Sequence, residues 1–208
     1  MHAIITDGSI SKIINHPKPL VIGDVRYPAR IFSVWTASEL AAIGIIEVTF
    51  DDSKKKDEKY YINTDQTYTY DADAGTVTAT YGNATAKAHA DTLFTAQDET
   101  DGKGTEGEVA TRGLKYNFIK TIKAQAAGIL QDTDWYILRK ADADTDVPSA
   151  ITTFRAAVRT KAAAMETLIT NASNTAAIET LYTYVNTADE GDPVVMERPL
   201  GEFPELGS

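Results

Sequence analysis

The segment Asp142-Ala143-Asp144-Thr145-Asp146 sets three carboxylates at alternate positions, the opening pattern of a calcium-binding loop. Such a loop turns at a glycine in its sixth position and closes on a bidentate glutamate in its twelfth. This chain has Val147 and Thr153 there, so the acids read as a polar turn with Asp146 near the start of a helix. Asp71-Ala72-Asp73-Ala74-Gly75 fails the same test and reads as a hairpin loop. The three histidines, His2, His16 and His89, have no second donor at a spacing typical of a metal site. Gly102-Lys103-Gly104-Thr105 lacks the phosphate-loop spacing and does not follow an apolar strand. No Gly-x-Ser-x-Gly occurs, and no nucleophile–base set can be assembled. With no cysteine in the chain, disulfides and thiolate chemistry are excluded, and synthesis in a reducing compartment fits. The expectation is therefore a protein that is not an enzyme, with no catalytic residue, no cofactor and no bound metal.

The chemistry left is that of contact. Trp135 and Tyr136 stand side by side, and these two residue types dominate protein–protein hot spots. They read in two ways, as a plug between two helices or as an anchor on a neighbouring chain. Tyr68, Tyr70 and Tyr81 carry the same ambiguity in a tyrosine-rich hairpin, either an ordinary half-buried sheet or a docking edge. Phe154, Val158 and Met165 complete the candidate interface, on a narrow apolar stripe of a long helix that suits an antiparallel pair or coiled-coil seam.

The elements that must carry these residues divide the chain. The fold class expected is α+β, with a β-rich domain over 1–95, an acidic glycine-containing linker over 96–113, a helical domain over 114–187 and an extended proline-containing tail over 188–208. In the first part, Gly23-Asp24 turns a short hairpin between Lys18 and Pro28. Thr36 and Glu39 form a capping box for the one short helix of this domain, roughly 37–43, with Trp35 and Leu40 as its staple and Gly44 at its end. Ile31, Phe32, Val34 and Trp35 precede it as an apolar cluster. Tyr60, Tyr61, Tyr68 and Tyr70 are assigned to one arm of the main hairpin, and Val77 to Tyr81 to the other.

Segment 96–113 holds four glycines, five acids and almost no large apolar side chain, which is a linker composition. Beyond it, Phe118, Ile122, Ala126 and Ile129 mark a first helix. A second runs from Pro148 to about Asn171, and a third, capped by Ser173, places Ile178, Leu181, Tyr182 and Val185 on one face. Together they make a helical hairpin or three-helix unit. Pro193, Pro199 and Pro204 keep the tail extended, either disordered or laid along a neighbour.

Charge bounds the partners. The net charge is −10, and residues 1–95 carry 9 basic and 12 acidic side chains, 96–113 carry 2 and 5, and 114–208 carry 9 and 13. No segment is basic enough to make nucleic acid a partner. No run is apolar enough to insert into a membrane.

Two blocks carry a family resemblance. One is Val25-Arg26-Tyr27-Pro28-Ala29-Arg30-Ile31-Phe32 followed by Ser38-Glu39-Leu40-Ala41-Ala42-Ile43-Gly44-Ile45. The other is Thr133-Asp134-Trp135-Tyr136-Ile137-Leu138-Arg139-Lys140, then Val147-Pro148 and Phe154-Arg155-Ala156-Ala157-Val158-Arg159. In content and order they resemble small tail-associated proteins of tailed bacteriophages, which include tail-fibre, baseplate and tail-fibre assembly proteins. The resemblance implies a structural component of the virion tail, made in the host cytoplasm. Its partners would be other tail proteins and sister copies in a homo-oligomer. The alternative it leaves open is an assembly chaperone absent from the finished particle, and it supplies no catalytic residue. In purely physical terms, Thr133 or Asp134 is placed to satisfy backbone amides at a helix end. Arg139 and Arg155 are placed to bridge acids across a helical pair.

Overall fold

The computed structural model describes residues 1–207 and divides into two compact units, Met1–Thr85 and Ala86–Ser208. It is an α+β protein, sheet-rich in its first half and helical mainly in its second.

Unit 1 is built on a five-stranded sheet of order β2-β1-β5-β8-β7. Strands β1 (His2–Thr6) and β2 (Ser9–Ile14) form an antiparallel hairpin around Asp7-Gly8. Both turn residues have positive φ (52° and 74°), which matches the right-handed twist of the flanking strands. Next, β3 (Leu20–Ile22) and β4 (Val25–Tyr27) pair across Gly23-Asp24, the turn expected there. The apolar cluster that follows is itself a one-turn helix, α1 (Ile31–Val34). It starts on the Pro28-Ala29-Arg30 corner, whose carbonyls accept from Ile31, Phe32 and Ser33 N–H. Unit 1 thus has two short helices where one was expected, because a single turn is too short to show periodicity.

Helix α2 (Ala37–Ala42) carries the capping box read from the sequence. Glu39 N–H donates to Thr36 Oγ1 (3.3 Å), and Thr36 N–H donates to Glu39 Oε2 (2.7 Å). Ile31, Leu40 and Ile45 are buried together, with Trp35 packed against them as the staple predicts.

The next strand, β5 (Ile45–Asp51), pairs antiparallel with β1 and parallel with β8 (Thr76–Tyr81). A two-residue strand, β6 (Tyr61–Ile62), and then β7 (Gln66–Asp71) lie in the crossover between them. The tyrosine-rich hairpin is therefore β7–β8, with Tyr68 opposite Ala79 and Tyr70 opposite Val77. Tyr60 and Tyr61 are not on its arm. Both are buried, Tyr60 closing a turn and Tyr61 opening β6, and both N–H groups donate to Asp57 O. Ala3, Val48, Val77 and Ala79 form the sheet's core, and Tyr68 and Tyr70 pack against it.

Unit 2 begins within β9 (Thr85–Ala86). Strands β10 (Thr92–Leu93) and β11 (Val109–Thr111) pair antiparallel around α3 (Ala96–Thr100). This is the segment whose composition reads as a linker, and it is ordered structure belonging to unit 2. The boundary lies at Thr85/Ala86 rather than after residue 95. Thr95 and Asp98 cap α3 with a second capping box, and Lys103 bridges Asp98 and Asp101. A Cβ at Gly104 would run into the Phe94 ring. The glycine there permits close packing rather than flexibility.

The rest of unit 2 is helical. Helix α4 (Leu114–Gln131) buries Leu114, Phe118, Ile122 and Ala126. Helix α6 (Ser149–Asn171) buries Ile151, Val158, Ala162, Met165 and Ile169. These faces show the 3–4 spacing predicted, and fully burying a side chain such as Ile122 stabilises by roughly 1.5–3 kcal/mol. Between them lies the separate α5 (Asp134–Ala143). Helix α7 (Thr175–Tyr182) is capped by Asn174 rather than Ser173, its side chain accepting from Ala177 N–H. It ends at Tyr182, so Val185 does not share its face and instead begins β12 (Val185–Asn186).

The tail is folded back on its own unit. Strand β13 (Met196–Glu197) pairs with β12, Leu200 is fully buried, and Leu200 N–H donates to Leu181 O.

Candidate functional site

The elbow between α4 and α5 is fixed by one buried cation. Arg155, on α6, is 7% exposed. Its Nη1 donates to Leu130 O (2.7 Å) and to Thr133 Oγ1 (2.6 Å), and its Nη2 meets Asp134 Oδ1 at 2.8 Å. Thr133 Oγ1 in turn donates to Leu130 O (2.9 Å). Thr133 is the N-cap of α5 but makes no side-chain cap bond. Its hydroxyl serves the α4 carbonyl and the arginine, and not the helix amides as expected. Arg155 does bridge an acid, as expected, though from a buried position. The planar guanidinium suits this work because it presents several donors in a fixed fork.

Held at that elbow, α5 buries none of its residues. Trp135 is 59% exposed and Leu138 67%, with Ile137 also exposed. The Arg139 guanidinium lies over the rings of Trp135 and Tyr136, at 5.2 and 5.7 Å from their centroids. It makes no ion pair among the described residues, and its Nε has no hydrogen-bond partner. Arg139 therefore stacks on aromatic faces and does not bridge an acid across a helical pair, the role expected for it. Trp135, Leu138, Arg139, Ala141 and Asp142 line one shallow groove.

The acidic turn that follows is organised around an ammonium. Lys140 Nζ lies 2.8 Å from both Asp144 Oδ1 and Asp146 Oδ1, and these contacts raise the lysine's pKa and lower that of Asp146. Asp144 takes a left-handed conformation (φ 52°) that ends the helix. Among the described residues no group of three His, Asp or Glu side chains is gathered as metal donors.

A second surface is the groove of about 770 Å³ between α4, α6 and the folded-back tail. Ile129, Phe154, Phe203 and Leu206 supply its apolar lining. Arg198 and Tyr184 brace the tail through Glu202, which accepts from both. Burial opposes ionisation of Glu202, but those hydrogen bonds outweigh it and hold the carboxyl below its usual range.

The candidate interface residues thus part company. Trp135 is the free one, and Tyr136 lies half-buried beside it under Arg139. Phe154 is half-buried in the tail groove. Val158 and Met165 have no exposed surface and belong to the core of unit 2. The stripe carrying them is closed by α4 within the same chain, so neither is available to a partner. Tyr68 and Tyr70 are half-buried against the sheet core because their period-two alternation with Thr67 and Thr69 turns both inward. Tyr81 is also half-buried, with the Lys55 ammonium 5.6 Å above its ring.

Sequence reasoning missed Leu138 and the apolar edge of the β12–β13 hairpin, where Val194 is 70% exposed and Val195 and Met196 are also exposed. The signal for Leu138 was present. Trp-Tyr-Ile-Leu over 135–138 is apolar on every side of a short helix, more than one packed face absorbs.

No family model matches the chain, and neither a curated protein nor a solved structure is significantly similar to it. No helix among the described residues is long and apolar enough to cross a membrane.

Proposed function

We propose that this chain is a non-catalytic structural protein of a bacteriophage tail, acting through protein–protein contact at the fibre, baseplate or adaptor end and present in several copies. The observation that carries the contact part of this reading is α5. It is a helix with no buried residue, carrying an exposed tryptophan and leucine on an elbow pinned by Arg155. Exposed aromatic anchors on a rigid support are what contact hot spots are made of. The tail assignment rests on the resemblance of the 25–45 and 133–159 blocks to tail-associated proteins.

Mass spectrometry of purified particles tests the reading. A structural component is found at a fixed ratio to other tail proteins. Absence from particles, with co-purification on free fibre protein, identifies an assembly chaperone instead. Absence from both, with the chain monomeric among phage proteins, overturns the proposal. Trp135→Ser then tests the site, since it should leave the fold intact and remove the chain from the particle.

A further inference from the structure

We infer that the exposed face of α5 in one copy receives the β12–β13 hairpin of a second copy, head to tail. This deepens the reading of α5 as a contact face and names its occupant. Two observations select that occupant. First, the charges left unsatisfied on the two surfaces are opposite. Arg139 makes no ion pair among the described residues and is held by stacking on Trp135 and Tyr136, whereas the hairpin over 185–197 carries Asp189, Glu190, Asp192 and Glu197 and no basic residue. None of those four acids makes a salt bridge among the described residues. Asp142, also in the α5 groove, would repel an acid placed beside it, which leaves Arg139 as the point where one is accepted.

Second, both surfaces set exposed apolar groups beside their charge. Trp135 and Arg139 are four residues apart on a helix, about 6 Å. On the hairpin, Asp189, Glu190 and Asp192 sit at the turn, and Val194, Val195 and Met196 lie on the arm that follows it. Laid along α5, that arm sets its alternate side chains Val194 and Met196 on Trp135 and Leu138 while the acidic turn meets Arg139. Water is thereby removed from Val194 and Met196, which are 70% and 53% exposed in the single chain.

The two surfaces are different patches of one molecule, so the contact is heterologous. Repeating it yields a ring or a stack rather than a closed two-fold dimer.

Sedimentation of the full chain over a concentration series tests this. The unmodified chain is expected to associate beyond a dimer. Arg139→Glu alone, and Glu190→Arg with Asp192→Arg alone, should each weaken association about tenfold or more, because each leaves like charges facing. An equimolar mixture of the two should recover it, since every mixed contact again joins opposite charges. Leu138→Glu and Val194→Lys serve as a second pair read the same way, with far-UV circular dichroism confirming that each variant folds. A chain that stays monomeric, or a mixture that fails to recover what the single variants lost, overturns the inference. Retention in particles alongside monomeric behaviour removes the head-to-tail contact and leaves the tail reading standing. Self-association as described by a chain that is absent from both particles and fibre complexes does the reverse.

Discussion

Arg155 and Trp135 make opposite demands on the fold. The Arg155 guanidinium is buried, and removing it takes one charged donor each from the Thr133 hydroxyl and the Leu130 carbonyl, which keep their bond to one another and, at the carbonyl, the Thr133 N–H. A hydrogen bond to a charged group contributes about 1.5–3 kcal/mol, so losing two of them in Arg155→Met should lower the urea-unfolding free energy by roughly 2–4 kcal/mol. Asp134 is 51% exposed, and its bridge to Arg155 is screened. Asp134→Asn should therefore cost under about 1 kcal/mol. Trp135→Ala should also leave stability within about 1 kcal/mol, whereas a buried aromatic truncated to alanine, as in Phe118→Ala, costs about 3–5 kcal/mol. The sequence named both Trp135 and Arg155 but could not rank their burial. An arginine at an apolar helix position looks like any surface ion-pair partner until the carbonyl it serves, twenty-five positions away, is in place. For the same reason Val158 and Met165 passed as interface residues. Spacing shows that a stripe is apolar and is silent on whether the chain covers it itself.

Elements fixed by local chemistry were legible, and those fixed by distant contacts were not. The Thr36–Glu39 box, the Gly23-Asp24 turn and the apolar faces of α4 and α6 all follow from residues within a few positions of one another. Helix α3 carries the same capping chemistry, but its glycines and acids read as a linker because its order comes from Phe94 packing and from Asp91, which accepts from Gly113 N–H and pairs with Arg112.

That chemistry makes α3 pH-sensitive. The hydrogen bonds from Thr95, and then Lys103, lower the Asp98 carboxyl from 3.8 to about 2. An acid with a depressed folded-state pKa stabilises the fold above its unfolded value, and that contribution is lost as pH falls through the folded one. The loss at α3 should therefore run from about pH 4 down to about pH 2. Carbon-detected NMR titration should find the Asp98 midpoint near 2, and Lys103→Met should move it upward. At the tail, Leu200 is fully buried, so Leu200→Ala should destabilise unit 2 by about 2–5 kcal/mol. A tail without structure would show no change.

At the scale of the molecule, each unit has its own core, the sheet and its two small helices in one and the α4–α6 pair in the other. A fragment spanning 86–208 should retain a cooperative thermal transition and a helical circular-dichroism spectrum. The same fragment begun at residue 96 should lose stability, because it lacks β10 and the Phe94 and Asp91 contacts that hold α3. Composition located two kinds of structure along the chain but misplaced the seam. The glycines and acids over 96–113 belong to a folded lobe, and the true division falls in an unremarkable Ala-Thr stretch.

The parallel pairing of β5 with β8 sets an order of events during synthesis. The hairpin of the first two strands and its partnership with β5 need only the opening fifty-one residues to have left the ribosome. The other edge of β5, Val48 to Asp51, then waits with unpaired amides and carbonyls until Val77 to Thr80 emerge. Throughout that interval the nascent chain presents a bare strand edge to every neighbour, its own siblings on a polysome included. Slowing translation once Asp51 has cleared the exit tunnel but while Val77 to Thr80 are still inside it should therefore raise the fraction lost to aggregation, and slowing it after Tyr81 has cleared the tunnel should not.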